Sequence, residues 1–398
     1  MIISEDRLIE KCYGKSVELL LRNSHKYGTA AALPTDKAKH NLYTNIFGRD
    51  ASICVLGMVA SGDKKLLEIA RTNLLTLARY QTKSGQIPSS VDPAKDKKFF
   101  YFLGSIDSTL WWLIAIDFYD RHAGDKALKS GLSANIKKAL IWLFYQDTNA
   151  DGLLEQGEAC DWADNMPANG RTLYTNVLWY RALERFGFDR ERKLASDGLN
   201  ALFRPHEAST KRSLFFSQDR FHRLLELRIM KKLTDNVPYY LNYIGHKSAS
   251  DRCDVYANAL AILFGVASPA RAKAIIRWLR NNKISRKYPA IVLFPPIEQK
   301  DYDWRPYMDE ENKPYNYHNG GIWPFIGAFY VMALRKTGHL DLARKELARL
   351  ADANRINNWQ FNEWFHGKTG KPMGMHGQSW NAATFLLTYH YLKGDIVW

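Results

Sequence analysis

The sequence lacks the features of secreted, disulfide-stapled and membrane-spanning proteins. Its four cysteines stand far apart among 398 residues with no Cys-x-x-Cys pair, so neither a disulfide framework nor a zinc site is indicated. No run of about 18 or more apolar residues occurs, which argues against a membrane span. The first stretch, MIISEDRLIEKCYGK, does not have the basic-then-apolar order of a secretory signal. We therefore expect a cytoplasmic protein with reduced cysteines and no metal site.

Blocks of a single charge are also absent, although the chain is basic. The net charge of +15 raises the possibility of nucleic-acid binding. The basic residues, however, occur as scattered pairs on amphipathic segments, such as Lys64-Lys65 and Lys231-Lys232, which is typical of a solvated surface. We expect no nucleic-acid and no membrane partner, and affinity for an anionic surface or polymer stays open. The sequence does not determine the oligomeric state.

The sequence does contain two kinds of helical segment in alternation. Segments that are apolar on nearly all sides lie at 48–61, 106–120, 172–186, 254–266, 320–336 and 378–393. Amphipathic segments with apolar residues at helical spacing lie at 4–24, 63–81, 132–146, 189–203, 269–282 and 339–353. Six buried helices ringed by six half-buried ones predict an all-α fold, an (α/α)6 barrel that residues 1–398 form as a single domain.

Loops rich in glycine, aromatic and polar residues precede the apolar segments. They lie at 45–50, 102–107, 161–171, 248–254, 315–321 and 371–378. If the inner helices run parallel, these loops meet at one end of the barrel, where helix N-termini favour bound oxygens and carboxylates. Residues 284–318 are expected to form a long loop over this end. Residues 207–247 are the least regular part, with a weak strand pattern at 237–245.

Two carboxylates in these loops are candidates for acid–base chemistry. Residues 147–180 carry several acids beside Trp162 at the start of an apolar helix, a poor core but a suitable cleft for a polar, ring-shaped substrate. Glycoside hydrolysis needs a proton donor and a second carboxylate, held roughly 6.5–9.5 Å apart in inverting enzymes. Asp164 and Glu363 both lie beside aromatic residues that can raise a carboxyl pKa. Each could instead be a surface charge or a helix cap.

Other loop residues are typical of sugar contact. Arg49 and Asp50 stand at the first turn of an apolar helix, either as a buried ion pair or as a fork and an acceptor for adjacent hydroxyls. Trp162, Trp304, Trp323, Trp364 and Trp380 stand in loops, where stacking on a sugar ring is an alternative to core packing. The loop histidines, His246, His318, His366 and His376, show no metal-site spacing, but a sugar epimerase would need a histidine pair.

One acidic loop matches a calcium-binding pattern. Residues 147–158 fit the EF-hand pattern D-x-N-x-D-G-x5-E. Trp162 and Pro167 follow where the exiting helix should begin. A turn built from Asp, Asn and Gly is therefore favoured, and calcium stays a minority alternative.

Short blocks along the chain together resemble the α/α-barrel glycosidases. This group includes the amylo-α-1,6-glucosidase domain of glycogen-debranching enzymes and the neutral/alkaline invertases. The blocks are FGRD at 47–50, IDSTLWW at 106–112, DGLL at 151–154, DWAD at 161–164, NVLWY at 176–180, YHNGGIWP at 317–324, NEWFHGK at 362–368 and GQSW at 377–380. The block at 317–324 is the most specific and is similar to the invertase form. The resemblance runs from about residue 41 to 393.

The resemblance implies an inverting, exo-acting glycoside hydrolase without a cofactor, acting on a small glycoside or oligosaccharide. It carries over Asp164 as general acid and Glu363 as general base. The substrate-binding candidates are Arg49, Asp50, Asp107, Asp161, Trp162, His318, Trp323, Trp364 and Gln378.

The substrate does not carry over, because these relatives cleave different glucosides with the same core. An amylo-α-1,6-glucosidase-like enzyme acting on an α-glucoside is the leading interpretation. An invertase-type sucrose hydrolase is the alternative within the class. A sugar epimerase and a non-catalytic glycan-binding barrel stay open outside it.

Overall fold

A computed structural model of the protein describes residues 4–101, 104–211 and 213–398, and helices dominate it. Residues 1–3 of the predicted domain and residues 102–103 of the predicted loop 102–107 lie outside the described residues. The helices are, in chain order, α1 (Glu5–Asn23), α2 (Asp36–His40), α3 (Gly48–Ser61), α4 (Lys64–Arg79), α5 (Ile106–His122), α6 (Ala127–Gly131), α7 (Ser133–Phe144), α8 (Leu173–Arg185), α9 (Asp189–Leu202), α10 (Phe215–Gln218), α11 (Arg220–Leu233), α12 (Val255–Leu263), α13 (Pro269–Asn281), α14 (Met308–Glu311), α15 (Pro324–Lys336), α16 (Leu340–Trp359) and α17 (Ser379–Lys393).

Six of these helices form a closed inner ring. Going round, α3, α5, α8, α12, α15 and α17 each pack against the next, and α17 packs against α3. The amphipathic helices α1, α4, α7, α9, α13 and α16 lie between them in sequence and form the outer layer. As predicted for the N-terminal helix, α1 packs against α17. The predicted (α/α)6 barrel is confirmed.

The burial of each helix follows from its residue pattern. In α3 every residue except the last is buried, as expected for an inner helix that is apolar on all sides. A Cβ added to Gly57 would lie 1.9 Å from the carbonyl oxygen of Ala383 on α17, so only glycine allows this close approach of two inner helices. The outer helix α4 buries one stripe at helical spacing, including Leu66, Ala70 and Leu74.

Short strands shape the loops at one end of the barrel. They are β1 (Ser24–His25), β2 (Gly28–Thr29), β3 (Ile46–Phe47), β4 (Ser90–Asp92), β5 (Lys97–Phe99), β6 (Arg171–Thr172), β7 (Tyr243–Ile244), β8 (Ala249–Ser250), β9 (Cys253–Asp254), β10 (Leu293–Phe294), β11 (Trp364–Phe365) and β12 (Pro372–Met373). The antiparallel sheets are β1–β2, β3–β4–β5, β6–β7–β8, β9–β10 and β11–β12. Strands β3, β6 and β9 lead directly into α3, α8 and α12, so they set where those inner helices begin.

The structure departs from the sequence-based prediction mainly within residues 207–247. Residues 220–233 form the α11 helix, because Leu227 and Met230 give it a buried side. The expected strand at 237–245 is reduced to the two residues of β7. Upstream of β7, the backbone N–H of Tyr240 donates to the side chain of Asn258 at 3.0 Å rather than to a neighbouring strand. The predicted long loop at 284–318 contains only β10 and α14 as regular elements within the described residues.

Among the described residues, no helix is both long enough and apolar enough to cross a membrane.

Candidate active site

A cavity of about 260 Å³ lies at the end of the barrel where the inner helices begin. Its walls come from the segments before, and the first turns of, five of the six inner helices. The lining side chains include Tyr43, Phe47, Arg49 and Asp50 at α3, Tyr101 and Ser105 at α5, Trp162 and Asp164 at α8, Tyr317, His318 and Trp323 at α15, and Glu363 and Trp380 at α17. Four of the six predicted loops thus meet at this cavity, whereas no residue of 248–254 or 371–378 lines it.

Glu363 is buried at the cavity wall with both carboxylate oxygens held. The hydroxyl of Tyr43 donates to Oε1 at 2.8 Å, and the backbone N–H of Met375 donates to Oε2 at 2.8 Å. Burial raises the pKa of Glu363 to about 7, and the two hydrogen bonds oppose that rise. Donors aimed at both oxygens favour the ionised form, so Glu363 is arranged to accept a proton.

A glycine makes room for this carboxylate. Gly374 follows β12 and has φ +75°, and a Cβ at this position would lie 2.4 Å from Oε2 of Glu363. Both the left-handed backbone and the close approach require glycine. The short β11–β12 hairpin thus presents the Met375 N–H to Glu363 without a side chain in between.

The surroundings of the Asp164 carboxylate differ from those of Glu363 in their hydrogen bonds. It is half-buried in the cavity wall, and no described residue donates a hydrogen bond to its carboxylate. Its backbone carbonyl accepts from His318 Nδ1 at 3.0 Å and from Asn312 Nδ2 at 3.2 Å, which holds the loop in place. Burial raises the pKa of Asp164 to about 7, with Arg49 opposing and Asp107 adding to the rise. A carboxyl group without donors in a desolvated site is suited to carry a proton.

The two acids influence each other across the cavity. The charge of Asp164 contributes to the raised pKa of Glu363. Two carboxylates that share one desolvated space do not both ionise readily, so near neutral pH the pair holds one proton. The hydrogen bonds to Glu363 favour its ionised form, whereas no described residue donates to the carboxylate of Asp164.

Arg49 and Asp50 form the ion pair considered from the sequence, at a position that lines the cavity. Arg49 Nε lies 3.3 Å from Asp50 Oδ1, and Arg49 Nη1 lies 3.3 Å from Asp107 Oδ2, so the ion pair exists. Both residues also line the cavity, where they can meet hydroxyl groups. Asp107 is fully buried behind Arg49 and also accepts from the Tyr174 hydroxyl at 3.1 Å. It therefore positions the arginine instead of forming the wall.

An aromatic cluster forms one side of the cavity. The His318 ring stacks on Tyr317 with centroids 3.9 Å apart and on Trp323 with centroids 5.0 Å apart, and Trp162 meets it edge-on at 4.8 Å. Burial lowers the pKa of His318 to about 3, so the ring is neutral. Because Nδ1 faces the carbonyl oxygen of Asp164, Nδ1 carries the hydrogen and Nε2 is an acceptor.

Besides Asp107, three of the predicted sugar-contacting residues lie outside the main cavity. Asp161 lines a neighbouring space of about 30 Å³ and accepts from Gln156 Nε2 at 2.9 Å and from the Ala163 N–H at 2.9 Å. Gln378 is buried just before α17. Trp364 lines an adjoining cavity of about 460 Å³ that Glu363 also borders. Of the four loop histidines, only His318 lines the main cavity in the described part of the chain.

Several cavity residues were not predicted as site residues. Tyr43, Phe47, Tyr101 and Tyr317 line the cavity, and Tyr43 bonds the proposed base directly. Phe47 and Tyr317 are the first residues of the blocks FGRD and YHNGGIWP, so those blocks could have pointed to them. Tyr43 and Tyr101 carry no motif, so no sequence signal separates them from ordinary loop tyrosines.

The acidic loop at 147–158 is a turn closed by its own side chains and by arginines. Asp147 accepts from the N–H groups of Asp151 and Gly152 at 2.9 and 2.8 Å. Asp151 Oδ2 lies 2.9 Å from Arg171 Nη2, and Arg305 Nη2 donates to Glu158 Oε1 at 3.0 Å. The turn favoured from the sequence is thus observed. Among residues 4–101, 104–211 and 213–398, no group of three or more His, Cys, Asp or Glu side chains is arranged to hold a metal.

In its fold and in the comparisons with known proteins, the chain is similar to glycoside hydrolases with an α/α barrel, which confirms the resemblance seen in the sequence. The structure is similar to that of a GH63 mannosylglycerate hydrolase from Thermus thermophilus in complex with glucose, with a TM-score of 0.67 and 16% identity over 94% of this chain and 99% of the other. It is also similar to a glycosidase in complex with glucose, with a TM-score of 0.62, 14% identity and 99% of both chains covered.

More particularly, the family described as alkaline and neutral invertase matches residues 197–394. Neutral/alkaline invertase 1, mitochondrial, from Oryza sativa subsp. japonica is 22% identical over 90% of this chain and 66% of its own length. Probable alkaline/neutral invertase A, chloroplastic, from Arabidopsis thaliana is 23% identical over 92% of this chain and 67% of its own length. The chain thus spans about two thirds of the length of these relatives.

Proposed function

We propose that the protein is an inverting, exo-acting glycoside hydrolase that releases glucose from a small α-glucoside. One observation carries the proposal: Asp164 and Glu363, both with a raised pKa, line one aromatic-walled cavity. They come from the loops before the third and sixth inner helices, which stand on opposite sides of a six-membered ring. This placement supports the wide separation that leaves room for a sugar and a water.

Each acid has a distinct task in this mechanism. Asp164, which carries the proton, protonates the glycosidic oxygen as the bond to the leaving group breaks. Glu363, whose carboxylate accepts hydrogen bonds from Tyr43 and from the Met375 N–H, takes a proton from a water that attacks the anomeric carbon from the opposite face. The water oxygen ends on that carbon, and the leaving group departs with the proton of Asp164. The configuration at the anomeric carbon is inverted.

The size of the cavity supports exo action on one terminal sugar. Its volume of about 260 Å³ is below the roughly 300–1,000 Å³ typical of sites for larger ligands, so it suits a single ring. Arg49 and Asp50 supply a donor and an acceptor for hydroxyl groups, and the ring face of the sugar meets the cluster around His318 and Trp323. No cofactor takes part in the proposed steps.

Sucrose is the first substrate to test. Two observations favour an invertase-type reaction. They are the sequence block at 317–324 and the match of the invertase family to residues 197–394. The acidic block at 147–164 favours an amylo-α-1,6-glucosidase-like one. We propose a cytoplasmic site of action, in line with a relative named cytosolic invertase 1 from Oryza sativa subsp. japonica, which is 23% identical over 92% of this chain.

A substrate panel combined with proton NMR tests the proposal. Sucrose, isomaltose, maltose, trehalose and limit dextrin are incubated with the protein, and the anomeric signal of released glucose is followed in the first minutes. We expect β-glucose to appear first from an α-glucoside. Initial α-glucose would mean a covalent intermediate and would contradict the roles of both acids. Epimerised sugar without hydrolysis, or binding without turnover, would support the alternatives outside the class.

A further inference from the structure

The α11 helix is the longest described helix outside the two layers of the barrel. Its inner side buries Leu227 and Met230. Arg223 Nη1 on the same side lies 3.3 Å from Asp151 Oδ2 and 3.3 Å from Glu226 Oε2. Glu226 in turn pairs with Arg171 just before α8. The helix is therefore clamped to the barrel by apolar contacts and by partly buried ion pairs.

The opposite side of α11 exposes large apolar side chains. Phe221 is 74% exposed and Leu225 is 42% exposed. Residues three or four apart share one face of a helix, so Arg228 and Lys232, which are also exposed, continue the same stripe. We call Phe221, Leu225, Arg228 and Lys232 the α11 surface. Two large apolar side chains exposed next to each other on one helix face make this surface a candidate binding face.

The α11 surface is positively charged. Arg220 and Lys231 are exposed beside it. The acids of this segment point elsewhere or are engaged, because Glu226 faces Arg171 and Arg223. Asp219, just before the helix, lies 2.9 Å from the ring of His222.

The combination of apolar and cationic groups on the α11 surface limits which class of partner can bind it. A second copy of the chain would bring two cationic faces together, which is unfavourable. A nucleic acid would neutralise the cations but would leave Phe221 and Leu225 against a charged backbone. An anionic phospholipid surface satisfies both groups, because aromatic and aliphatic side chains enter the boundary between headgroups and acyl chains while Lys and Arg meet the phosphates.

We propose that the α11 surface docks the protein on an anionic phospholipid membrane. Phe221 and Leu225 enter the headgroup region, and Arg228 and Lys232 contact the lipid phosphates. The sequence-based expectation of no membrane partner followed from the lack of a long apolar run, and surface docking needs none. The affinity for an anionic surface that the net charge left open thereby acquires a specific location.

Co-sedimentation with vesicles tests the proposal. The full chain is mixed with phosphatidylcholine vesicles, with or without phosphatidylserine, at low and high salt. We expect binding only to vesicles with phosphatidylserine, weakened by salt. The double variant Phe221→Ser/Leu225→Ser should bind at least about tenfold more weakly, because it removes the apolar groups that enter the headgroup region. The double variant Arg228→Glu/Lys232→Glu should also bind at least about tenfold more weakly, because each cation near the surface contributes appreciably to binding. A Phe221→Trp variant should show blue-shifted emission on binding.

The matched control is Lys64→Glu/Lys65→Glu, which makes the same charge change at two exposed positions of α4. Circular dichroism confirms that each variant is folded. The proposal is overturned if the wild-type chain does not sediment, or if the control loses as much binding as the α11 variants. Loss of a dimer in the α11 variants would assign the surface to a second copy. Binding of a DNA duplex that only the α11 variants lose, without vesicle binding, would assign it to nucleic acid.

Discussion

At the scale of single residues, the two cavity carboxylates differ in their hydrogen bonds and not in their burial alone. Glu363 receives one donor on each oxygen, whereas the described residues offer none to the carboxylate of Asp164. Desolvation raises the pKa of both to about 7. In the proposed mechanism, the hydrogen bonds favour ionised Glu363 as the base and leave Asp164 as the acid.

Removing either carboxylate should therefore abolish most of the activity, in distinguishable ways. We expect Asp164→Asn and Glu363→Gln each to lower kcat by about 10²–10⁴-fold, the usual contribution of general acid–base catalysis. The loss in Asp164→Asn should shrink on glucosides with a good leaving group, which need less protonation, whereas the loss in Glu363→Gln should not. Steady-state kinetics on both kinds of substrate give the answer. Asp309→Asn, on the exposed surface of α14, is the control and should be near wild type. Near-normal turnover in Glu363→Gln would reject it as the base.

The contact with Tyr43 predicts a specific change in the pH profile. Glu363 must be ionised to act, so activity falls as the pH drops below about 7, while the alkaline limb reports loss of the Asp164 proton above about 7. Tyr43→Phe removes a donor that lowers the pKa of Glu363, so its pKa rises and the acidic limb moves to higher pH. The plot of kcat/KM against pH measures this shift.

Tyr80→Phe is the matched control for this prediction. The Tyr80 hydroxyl also donates to a carboxylate, that of Asp96 at 2.7 Å, but it does not line the cavity. Its pH profile should match that of the wild type. If Tyr43→Phe lowered the rate equally at every pH, the hydroxyl would be acting on the substrate or on packing and not on the base.

At the scale of elements, the β11–β12 hairpin is built around Glu363. It pairs Trp364 with Met373 and Phe365 with Pro372, which brings the Met375 N–H back to the carboxylate. The segment leading into it has left-handed backbone at Asn357, Asn358 and Phe361, so the regular part of α16 ends before it and the chain turns sharply toward the cavity. The short hairpin thus places a backbone donor, the Met375 N–H, next to the carboxylate of Glu363. A helix could not do this, because its backbone N–H groups are used within the helix.

Substituting Gly374 should separate activity from stability. In Gly374→Ala the new Cβ would lie 2.4 Å from Glu363 Oε2, so the carboxylate must move away from the cavity geometry. We expect a loss of activity of at least about tenfold, because small displacements of catalytic groups are costly. Gly62→Ala is the control. Like Gly374, Gly62 has a left-handed backbone, with φ +66°, but a Cβ added to it would meet nothing within 4 Å. It should lose about 1–2 kcal/mol of stability from backbone strain and keep its activity. Equal activity loss in the two variants would contradict the role given to Gly374.

At the scale of the whole molecule, the active end of the barrel concentrates buried carboxyl groups. Burial raises the pKa of Asp50 and Asp161 to about 6, and that of Asp164, Asp254 and Glu363 to about 7. A folded-state pKa above the unfolded value means that the folded protein binds these protons more tightly. Their stabilising effect is complete below about pH 4 and is lost as the pH rises through 6 to 7.

Thermal unfolding should therefore depend on pH in a defined direction. We expect Tm to be higher near pH 5.5 than near pH 8, because the buried carboxyl groups with a raised pKa ionise over this range at a cost to the folded state. The double variant Asp164→Asn/Glu363→Gln should show a smaller fall over this range. Differential scanning calorimetry measures both changes in Tm. A flat or rising Tm toward pH 8 would contradict the expected direction of the pH dependence.

The same calorimetric scans test the prediction that residues 1–398 form one domain. A single cooperative transition is expected, whereas two separated transitions would contradict it.

The architecture of the barrel follows from the sequence alone, because each helix carries its own burial pattern. Helices apolar on all sides have to lie inside, and those with one apolar stripe have to lie outside, so the six alternating pairs predicted the barrel and most helix positions within a few residues. The α11 helix was not predicted from the sequence. Its exposed Phe221 and Leu225 add apolar residues outside the buried stripe of Leu227 and Met230, so the segment does not show a clear amphipathic pattern. The candidate acids could also be found in the sequence, because Asp164 and Glu363 stand in short blocks with aromatic neighbours.

The arrangement of the candidate site, in contrast, depends on the tertiary structure. The donor to Glu363 comes from Tyr43, 320 positions away in the chain, and nothing in its local sequence marks it. Asp107 was predicted to contact sugar, but the fold places it behind Arg49, where it neutralises the arginine. Local patterns follow from the physics of single helices, whereas proton placement depends on desolvation and hydrogen bonds between loops that meet only when the ring of helices closes.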